Sequence, residues 1–446
     1  MAYTKSEVLS HAKEHNVKFV NLQFVDIHGV AKGVGIPAAQ LEDVIEHNMW
    51  FDGSSIEGFT RISESDMFLK PDLDTWAITP WSKQTAHVTA RLICDVYMPD
   101  GEPFEGDPRY ILKCQLERAK KLGYVYNCGP ELEFFLFRKE NHKLMPLPHD
   151  GAGYFDQTTD LAHEIRKDMT IALEEFGIQV EALHHEVAAG QHEIDFRYDN
   201  ALRCADHAMT LKVVMKTIAS QHGLHATFMP KPIAGINGSG MHVHQSLFSE
   251  DGHKNLFFDA ADEYHLSGLA KSFVAGQMTH IHAMNAVLNP LINSYKRLVV
   301  GYEAPVYVAW GQRNRSALVR VPRYTPGREK AVRVELRCPD PAANPYLAFA
   351  VMLAAGLDGI EKKMQPPAPV EENIFEFTDE HAAERQITTV ARNLFEALQA
   401  LKENKVIRPA LGEYTFAKLY EAKMQEWDDY RLHVSEWELD RYLEVY

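Results

Sequence analysis

Four short segments of this chain alternate strictly between ionisable and apolar residues, and that pattern commits them to strands of a sheet with one charged face. In Gly129-Pro-Glu-Leu-Glu-Phe-Phe-Leu-Phe137, a period of two sets Glu131, Glu133 and Phe135 against Leu132, Phe134 and Leu136. In His184-His-Glu-Val-Ala-Ala-Gly-Gln-His-Glu-Ile-Asp-Phe196, the stretch Ala188-Ala-Gly190 reads as a tight connection between two strands, bringing Glu186 and Glu193 to a common mouth. Asn237-Gly-Ser-Gly-Met-His-Val-His-Gln-Ser246 runs from a Gly-rich loop into a strand with His242, His244 and Ser246 on one side. Arg333-Val-Glu-Leu-Arg337 puts Arg333, Glu335 and Arg337 on one face. Taken alone, each has an ordinary reading. The first suits a solvated outer strand face, the second a satisfied core or surface loop, the third a turn, and the fourth a salt-bridged edge strand.

Together they carry more weight. If the four charged faces converge, they supply five glutamates and two histidines with several arginines around them. Carboxylates at that density need cations to coexist, and oxygen-rich sites with an occasional imidazole suit Mg²⁺ or Mn²⁺, whereas zinc favours more His and Cys. Arginines beside such a cluster point to anionic substrates whose charge moves during reaction, as in phosphoryl transfer. The chain has no GxxxxGK[ST] sequence and no set of kinase motifs, so a nucleotide site here is of another type.

At 446 residues the chain exceeds what one core organises, so more than one domain is expected. Its middle mixes short strands with amphipathic helices, which gives an α+β class with a mostly antiparallel sheet. Met98–Pro108, rich in Pro, Gly and acid, closes the first part and supplies a helix start, with Asp107 as N-cap and Pro108 at the first helical position. The boundary is therefore placed near residue 103, giving domains 1–103 and 104–446. A net charge of -16 argues against nucleic acid as a partner. The N-terminus reads as a helix opened by a Thr4–Glu7 capping box rather than a signal peptide. The most apolar run, Tyr346–Leu357, is shorter than a membrane span and reads as a buried helix. Five cysteines without a CxxC pair suit a reducing cytoplasm.

The series GPELEFFLF, HHEVAAGQHEIDF, NGSGMHVHQS, NSYKRL…GYEAP and RVELRCPDPAANPY resembles the type I glutamine synthetases of bacteria and archaea. The likeness runs from Phe51-Asp-Gly-Ser-Ser-Ile-Glu-Gly-Phe59 to Pro339-Asp-Pro-Ala-Ala-Asn-Pro345, nearly the whole chain. It implies an N-terminal β-grasp domain and a catalytic domain whose curved sheet forms a funnel for two or more Mg²⁺ or Mn²⁺ ions. By motif match, Glu133, Glu186 and Glu193 resemble the ligands of one metal, and Glu131, His242 and Glu335 those of the other. ATP would enter near Glu181, His244, Ser246, Arg320, Lys330 and Arg333; glutamate would be held by Asn237, Gly238, Arg297, Glu303, Arg315 and Arg337.

Ammonium would be bound by Asp52, Ser55, Tyr154 and Glu186, with Asp52 drawing off its proton. Glu303 matches a flap glutamate that closes over the intermediate; with Asp52 and Arg315 it completes the implied catalytic set. The resemblance further implies that Asp52 serves a neighbouring subunit, in a dodecamer of two hexameric rings. Asn373-Ile-Phe-Glu-Phe-Thr378 lacks the tyrosine that some relatives adenylylate, so that control is expected to be absent. Arg61 resembles an arginine linked to inhibition by glutamine, and a surface salt bridge is its plain alternative. The rival enzyme reading is a γ-glutamyl ligase for methylamine or a polyamine, since Phe24–Lys32 is similar to some of those relatives; the presence of Asp52 and Tyr154 favours ammonium. The apolar end Tyr442–Tyr446 suits docking on another subunit or a local core contact.

Overall fold

The computed structural model describes residues 3–54, 56, 58, 66–83, 85–140, 143–146, 152–156, 158–314, 316–372, 374, 377, 384–385 and 387–446. The chain opens with helix α1 (Lys5–Glu14), whose first turn carries the Thr4–Glu7 capping box that the sequence predicts. Five strands then form a mixed sheet: β1 (Phe19–Val25), β2 (Ala31–Pro37), β3 (Met49–Asp52), β4 (Asp66–Ile78) and β5 (Thr89–Tyr97), in the order β2-β1-β5-β4-β3. Strand β1 pairs antiparallel with β2 and parallel with β5. Helices α1 and α2 (Leu41–His47) cover one face, where Val20, Leu22 and Phe24 alternate into a separate small core. This is the β-grasp arrangement.

The larger unit begins at α3 (Pro108–Lys121), capped by Asp107 with Pro108 in its first turn. It is built on a ten-stranded sheet whose main path runs β13 (Tyr307–Gly311), β14 (Ala317–Arg320), β15 (Val334–Leu336), β12 (Met241–Ser249), β6 (Tyr124–Glu140), β9 (Gln191–Phe196) and β8 (Val180–His185). Strands β7 (Lys143–Pro146), β10 (Asp199–Asn200) and β11 (Leu224–Thr227) pair off the long β6. All these pairings are antiparallel except that of β13 with β14.

The apolar face of this sheet, including Leu132, Phe134, Val243, Ile194 and Leu336, packs on a helical layer. That layer holds α4 (His163–Glu175), α5 (Ala201–Gln221), α6 (Gly268–Leu288), the short α7 (Ser294–Arg297) and α8 (Pro345–Glu361), followed by α9 (Leu394–Glu403), α10 (Ile407–Leu411), α11 (Glu413–Leu432) and α12 (Glu436–Tyr442). Helix α8 is buried from Pro345 to Gly359, so the apolar run in the sequence is a core helix. Among the described residues, no helix is long and apolar enough to cross a membrane.

Several contacts join the units, and two of them pin the small sheet. Gly29, at φ +75°, lets the β1–β2 turn lie against Asn344, the α8 N-cap, where an added Cβ would meet Asn344 Cα at 2.9 Å. Asn344 Nδ2 donates to Asp26 O at 3.0 Å. The second contact is ionic: buried Arg109 of α3 pairs with Asp72 of β4 (2.6 Å), Asp95 of β5 (2.7 Å) and Asp206 of α5 (3.0 Å).

Candidate active site

The four alternating segments occupy neighbouring strands, so their charged faces form one continuous floor. Cross-strand register arranges it in three rows. Arg320 of β14 faces Glu335 of β15, which faces His244 of β12, which faces Gly129 of β6. His242 of β12 faces Glu131 of β6, which faces Asp195 of β9. Glu133 of β6 faces Glu193 of β9, which faces His184 of β8. Glu133 is buried and β6 lies between β12 and β9, so the outer-strand reading of GPELEFFLF fails. The edge-strand reading of RVELR fails too, because β15 lies between β12 and β14.

Two cavities open on this floor. One, of about 360 Å³, is lined by Glu131, Glu133, Glu186, Glu193, His242, Tyr154, Asn237, Gly238, Arg297, Arg337 and Glu303, with His184, Gln191, Asp195 and Arg320. The other, of about 370 Å³, is lined by Glu181, His244, Ser246, Lys330 and Arg333, with Tyr198, Arg328 and Phe196. Glu131 and Asp195 belong to both. Arg320, expected on the nucleotide side, lines the first cavity and pairs with Glu335.

The carboxylates fall into two electrostatic groups. Burial opposes the Glu335 charge, yet Arg337, His244, His242 and Arg320 hold its pKa down at about 2. Glu131 is likewise held well below the usual range against burial, by hydrogen bonds from His242 and His244. On the other side, burial and the neighbouring Glu186 push Glu133 up to about 8. Burial with Glu193 and Glu131 pushes Asp195 to about 9, and Glu193 is raised well above its ordinary value by burial and Glu133. Like charges directly opposite across a sheet repel, so this half of the floor needs a proton or a cation between its members.

Histidine roles follow from their partners. Arg333 Nε can only donate, and it reaches His244 Nδ1 at 3.1 Å. His244 therefore carries its proton on Nε2 and gives it to Glu131 Oε1 at 2.7 Å. Burial and Arg337 push His242 down to about 4, so its ring is neutral near pH 7 and able to ligate.

Donor atoms of Glu131, His242 and Glu335 lie within 4.8 Å of one another, as do those of His184, Glu193 and Asp195. Both sets are rich in oxygen with one imidazole, which fits Mg²⁺ or Mn²⁺. The crowded, charge-disfavoured carboxylates on the β6–β9 side fit a cation as well. Glu133 accepts from Gly240 N (2.9 Å) and Gln191 Nε2 (2.8 Å), while Glu186 lies 3.5 Å from His184 Nδ1. His184 and Asp195 were not among the site residues read from the sequence. The signal was there: both stand two positions from a chosen glutamate on the same alternating face.

Around the first cavity, close backbone approach is built in. A Cβ on Gly238 would meet Pro230 O at 2.3 Å, and one on Gly240 would meet Arg297 Nη2 at 2.6 Å. Arg297 is buried and donates to Cys338 O at 2.8 Å and Arg337 O at 3.2 Å. Arg337 Nε is buried without a partner among the described residues, an unused donor on a residue lining the cavity. Asn237 Nδ2 donates to Glu303 Oε2 at 3.3 Å, and Glu303 holds a left-handed φ of +57°. Such a conformation in a non-glycine residue stores strain typical of mobile or functional loops. The Tyr154 ring stacks on Phe155 at 3.9 Å and meets His184 edge-on at 5.4 Å.

Asp52 ends β3 in the small sheet, with Oδ1 accepting from Ser54 N at 2.8 Å, and it lines neither cavity. Ser55, Arg61 and Arg315 lie outside the described residues, as does most of the 373–378 segment.

A family model for the glutamine synthetase catalytic domain matches residues 105–442, and one for the glutamine synthetase β-grasp domain matches residues 16–99. The chain is 55% identical over 446 residues to a glutamine synthetase of Clostridium saccharobutylicum, covering all of this chain and 99% of that one. It is 54% identical to a glutamine synthetase of Thermus thermophilus over the full length of both. Among solved structures, a GmaS/ADP complex superposes with a TM-score of 0.90 at 32% identity, covering 100% of each chain.

Proposed function

The chain belongs to the glutamine synthetase family, and on that premise we propose that it ligates ammonia to the side-chain carboxylate of glutamate at the expense of ATP. One observation carries the reading: two cavities, one beside Arg297, Arg337 and Glu303 and one beside Lys330 and Arg333, share a wall of carboxylates at Glu131 and Asp195. That arrangement suits two anionic substrates meeting over cations.

Glutamate takes the first cavity, its charge met by Arg297 and Arg337, with Asn237, Gly238 and Arg315 completing the site. ATP takes the second, flanked by Glu181, His244, Ser246, Lys330 and Arg333, with Arg320 reaching in from the first. Glu131, His242 and Glu335 would hold one divalent cation; Glu133, Glu186 and Glu193 would hold another, with His184 and Asp195 beside them. When bound, such ions neutralise charge on the phosphoryl group in transfer.

A γ-oxygen of glutamate attacks the terminal phosphorus of ATP, and ADP leaves from γ-glutamyl phosphate. Asp52 of a neighbouring subunit takes a proton from ammonium held by Ser55, Tyr154 and Glu186. The resulting ammonia attacks the γ-carbonyl and phosphate departs. Glu303 closes the loop over the intermediate and keeps out water, which would otherwise hydrolyse the acyl phosphate. The same reading takes residues 1–103 as the β-grasp unit and 104–446 as the catalytic unit, assembled as a cytoplasmic dodecamer.

A second reading keeps the phosphoryl transfer and hands the γ-glutamyl group to methylamine or a polyamine. Full-length structural likeness to GmaS favours it, while 54–55% identity to proteins named glutamine synthetase favours ammonia. The test is ADP and amide release from glutamate, ATP and Mg²⁺, with ammonium, methylamine or a diamine as acceptor. Glutamine formed with ammonium and lost in Asp52→Ala supports the synthetase. Turnover with an organic amine alone moves the enzyme to the second reading.

A further inference from the structure

Strand β1 alternates between two environments. Val20, Leu22 and Phe24 enter the small core, so Asn21 and Gln23 face the other way, toward the catalytic unit. Strand β5 does the same, with Leu92 and Cys94 in the core and Arg91 on the opposite face. Asn21 and Arg91 are register partners, and hence lie side by side on that face.

Arg91 is 7% exposed and donates once, from Nη1 to Thr210 Oγ1 of α5 at 2.7 Å. Its Nε is buried with no partner among the described residues. No carboxylate stands within ion-pair distance of it among the described residues; its guanidinium rests instead on the Phe176 ring, 5.0 Å from the centroid. A buried charge with so few partners is costly, and burial pushes its pKa down to about 10.

Two cavities meet Arg91. The one of about 230 Å³ also contains Asp72, Asp74 and Asp206, which repel an anion. The other, of about 370 Å³, lies between β1, β5 and the end of α4 and the middle of α5. Arg91 is its only permanently charged lining residue among those described, and His87 the only other titratable one. The side-chain amides of Asn21 and Gln23 line it and make no hydrogen bond with any described residue. Its volume is that of a small-molecule site.

We propose that this cleft binds a small oxyanion, a carboxylate or a phosphate, with Arg91 as its charge partner and the Asn21 and Gln23 amides as donors. The ligand would bridge the sheet that carries Asp52 to the catalytic unit, and so act as an effector. That consequence depends on the proposed role of Asp52; the binding itself does not.

The experiment follows the thermal midpoint of the full-length protein during titration with succinate and, separately, inorganic phosphate. Wild type should show a saturable rise with at least one of them, and the stronger responder names the source of the oxyanion. Arg91→Gln should raise the half-saturating concentration about tenfold or more. Asn21→Asp puts a carboxylate beside Arg91. It should lift the midpoint without ligand and abolish the response, which keeps the test alive if Arg91→Gln fails to fold. No saturable response in wild type, or the same half-saturation in Asn21→Asp, overturns the proposal, the latter by placing the anion elsewhere.

Discussion

Glu335 and Glu133 carry the same functional group in the first and third rows of one floor, and their surroundings drive them in opposite directions. Arginines and histidines keep the first ionised, while burial and Glu186 favour a proton on the second. This difference has a measurable consequence in protein stripped of metal. Glu133, Glu193 and Asp195 all have folded-state pKa values raised above those of an unfolded chain. Their stabilising contribution is complete below the unfolded value near 4.5 or below, and is lost as pH climbs toward about 8 for Glu133 and about 9 for Asp195. Glu335 and Glu131, with lowered values, stay ionised in both states over that range and add no slope. Metal-free protein should therefore lose thermal stability from roughly pH 5 up to about pH 8 to 9, by at most about 1.4 kcal/mol per pH unit for each group that is ionised unfolded and protonated folded. Magnesium should flatten the curve by replacing the protons, and calorimetry should detect proton release on binding. A midpoint that is level across this range in chelated protein would mean that these carboxyls are not crowded as the floor implies.

At the scale of elements, α6 and α8 cross at glycine. A Cβ on Gly276 would meet Ala355 O at 2.1 Å and the Gly359 nitrogen at 2.8 Å, and one on Gly359 would meet Ser272 O at 2.1 Å. The clash is with backbone, which no rotamer change relieves. Gly276→Ala should cost about 3 kcal/mol or more, seen as a lower thermal midpoint, whereas Gly268→Ala, with open space around it, should not. Local elements of this kind were largely legible in the sequence: the capping box of α1, the Asp107-Pro108 start of α3, the alternating strands, the core helix α8. What single segments could not convey was neighbourhood. Glu133 reads as a solvated residue on its strand taken alone, because nothing local says that β9 and β12 lie on either side of β6. Strand order in a sheet is set by contacts distant in sequence, and only the co-occurrence of all four motifs pointed to a shared floor. Asp195 and His184 were missed for a related reason. A strand's alternation shows which residues share its face but not which register row they enter, and the row is what sets Asp195 opposite Glu131.

The whole molecule presents a mismatch that its own cavities do not resolve. Asp52 stands at the end of β3, exposed and lining neither cavity. The small sheet that carries it is pinned to the catalytic unit by Arg109 and by Gly29 against Asn344. The proposed role of Asp52 as proton acceptor therefore calls for the site of a second copy. The chain also ends in surface that a lone subunit leaves bare, with Leu432, Trp437, Leu443 and Tyr446 all exposed, as suits a protein that assembles. A mixing experiment decides between one copy and two. Asp52→Ala and Glu335→Gln should each be inactive alone, the first lacking the proton acceptor and the second a cation ligand that holds Arg320 and Arg337 in place. Co-assembled in equal amounts, they should regain activity at roughly a quarter of the sites, because shared sites pair residues from different subunits at random. Mixed oligomers with no recovery would place Asp52 and Glu335 in one subunit's site. The small sheet would then have to swing toward its own funnel, breaking the Arg109 pairs with Asp72 and Asp95 as it moved.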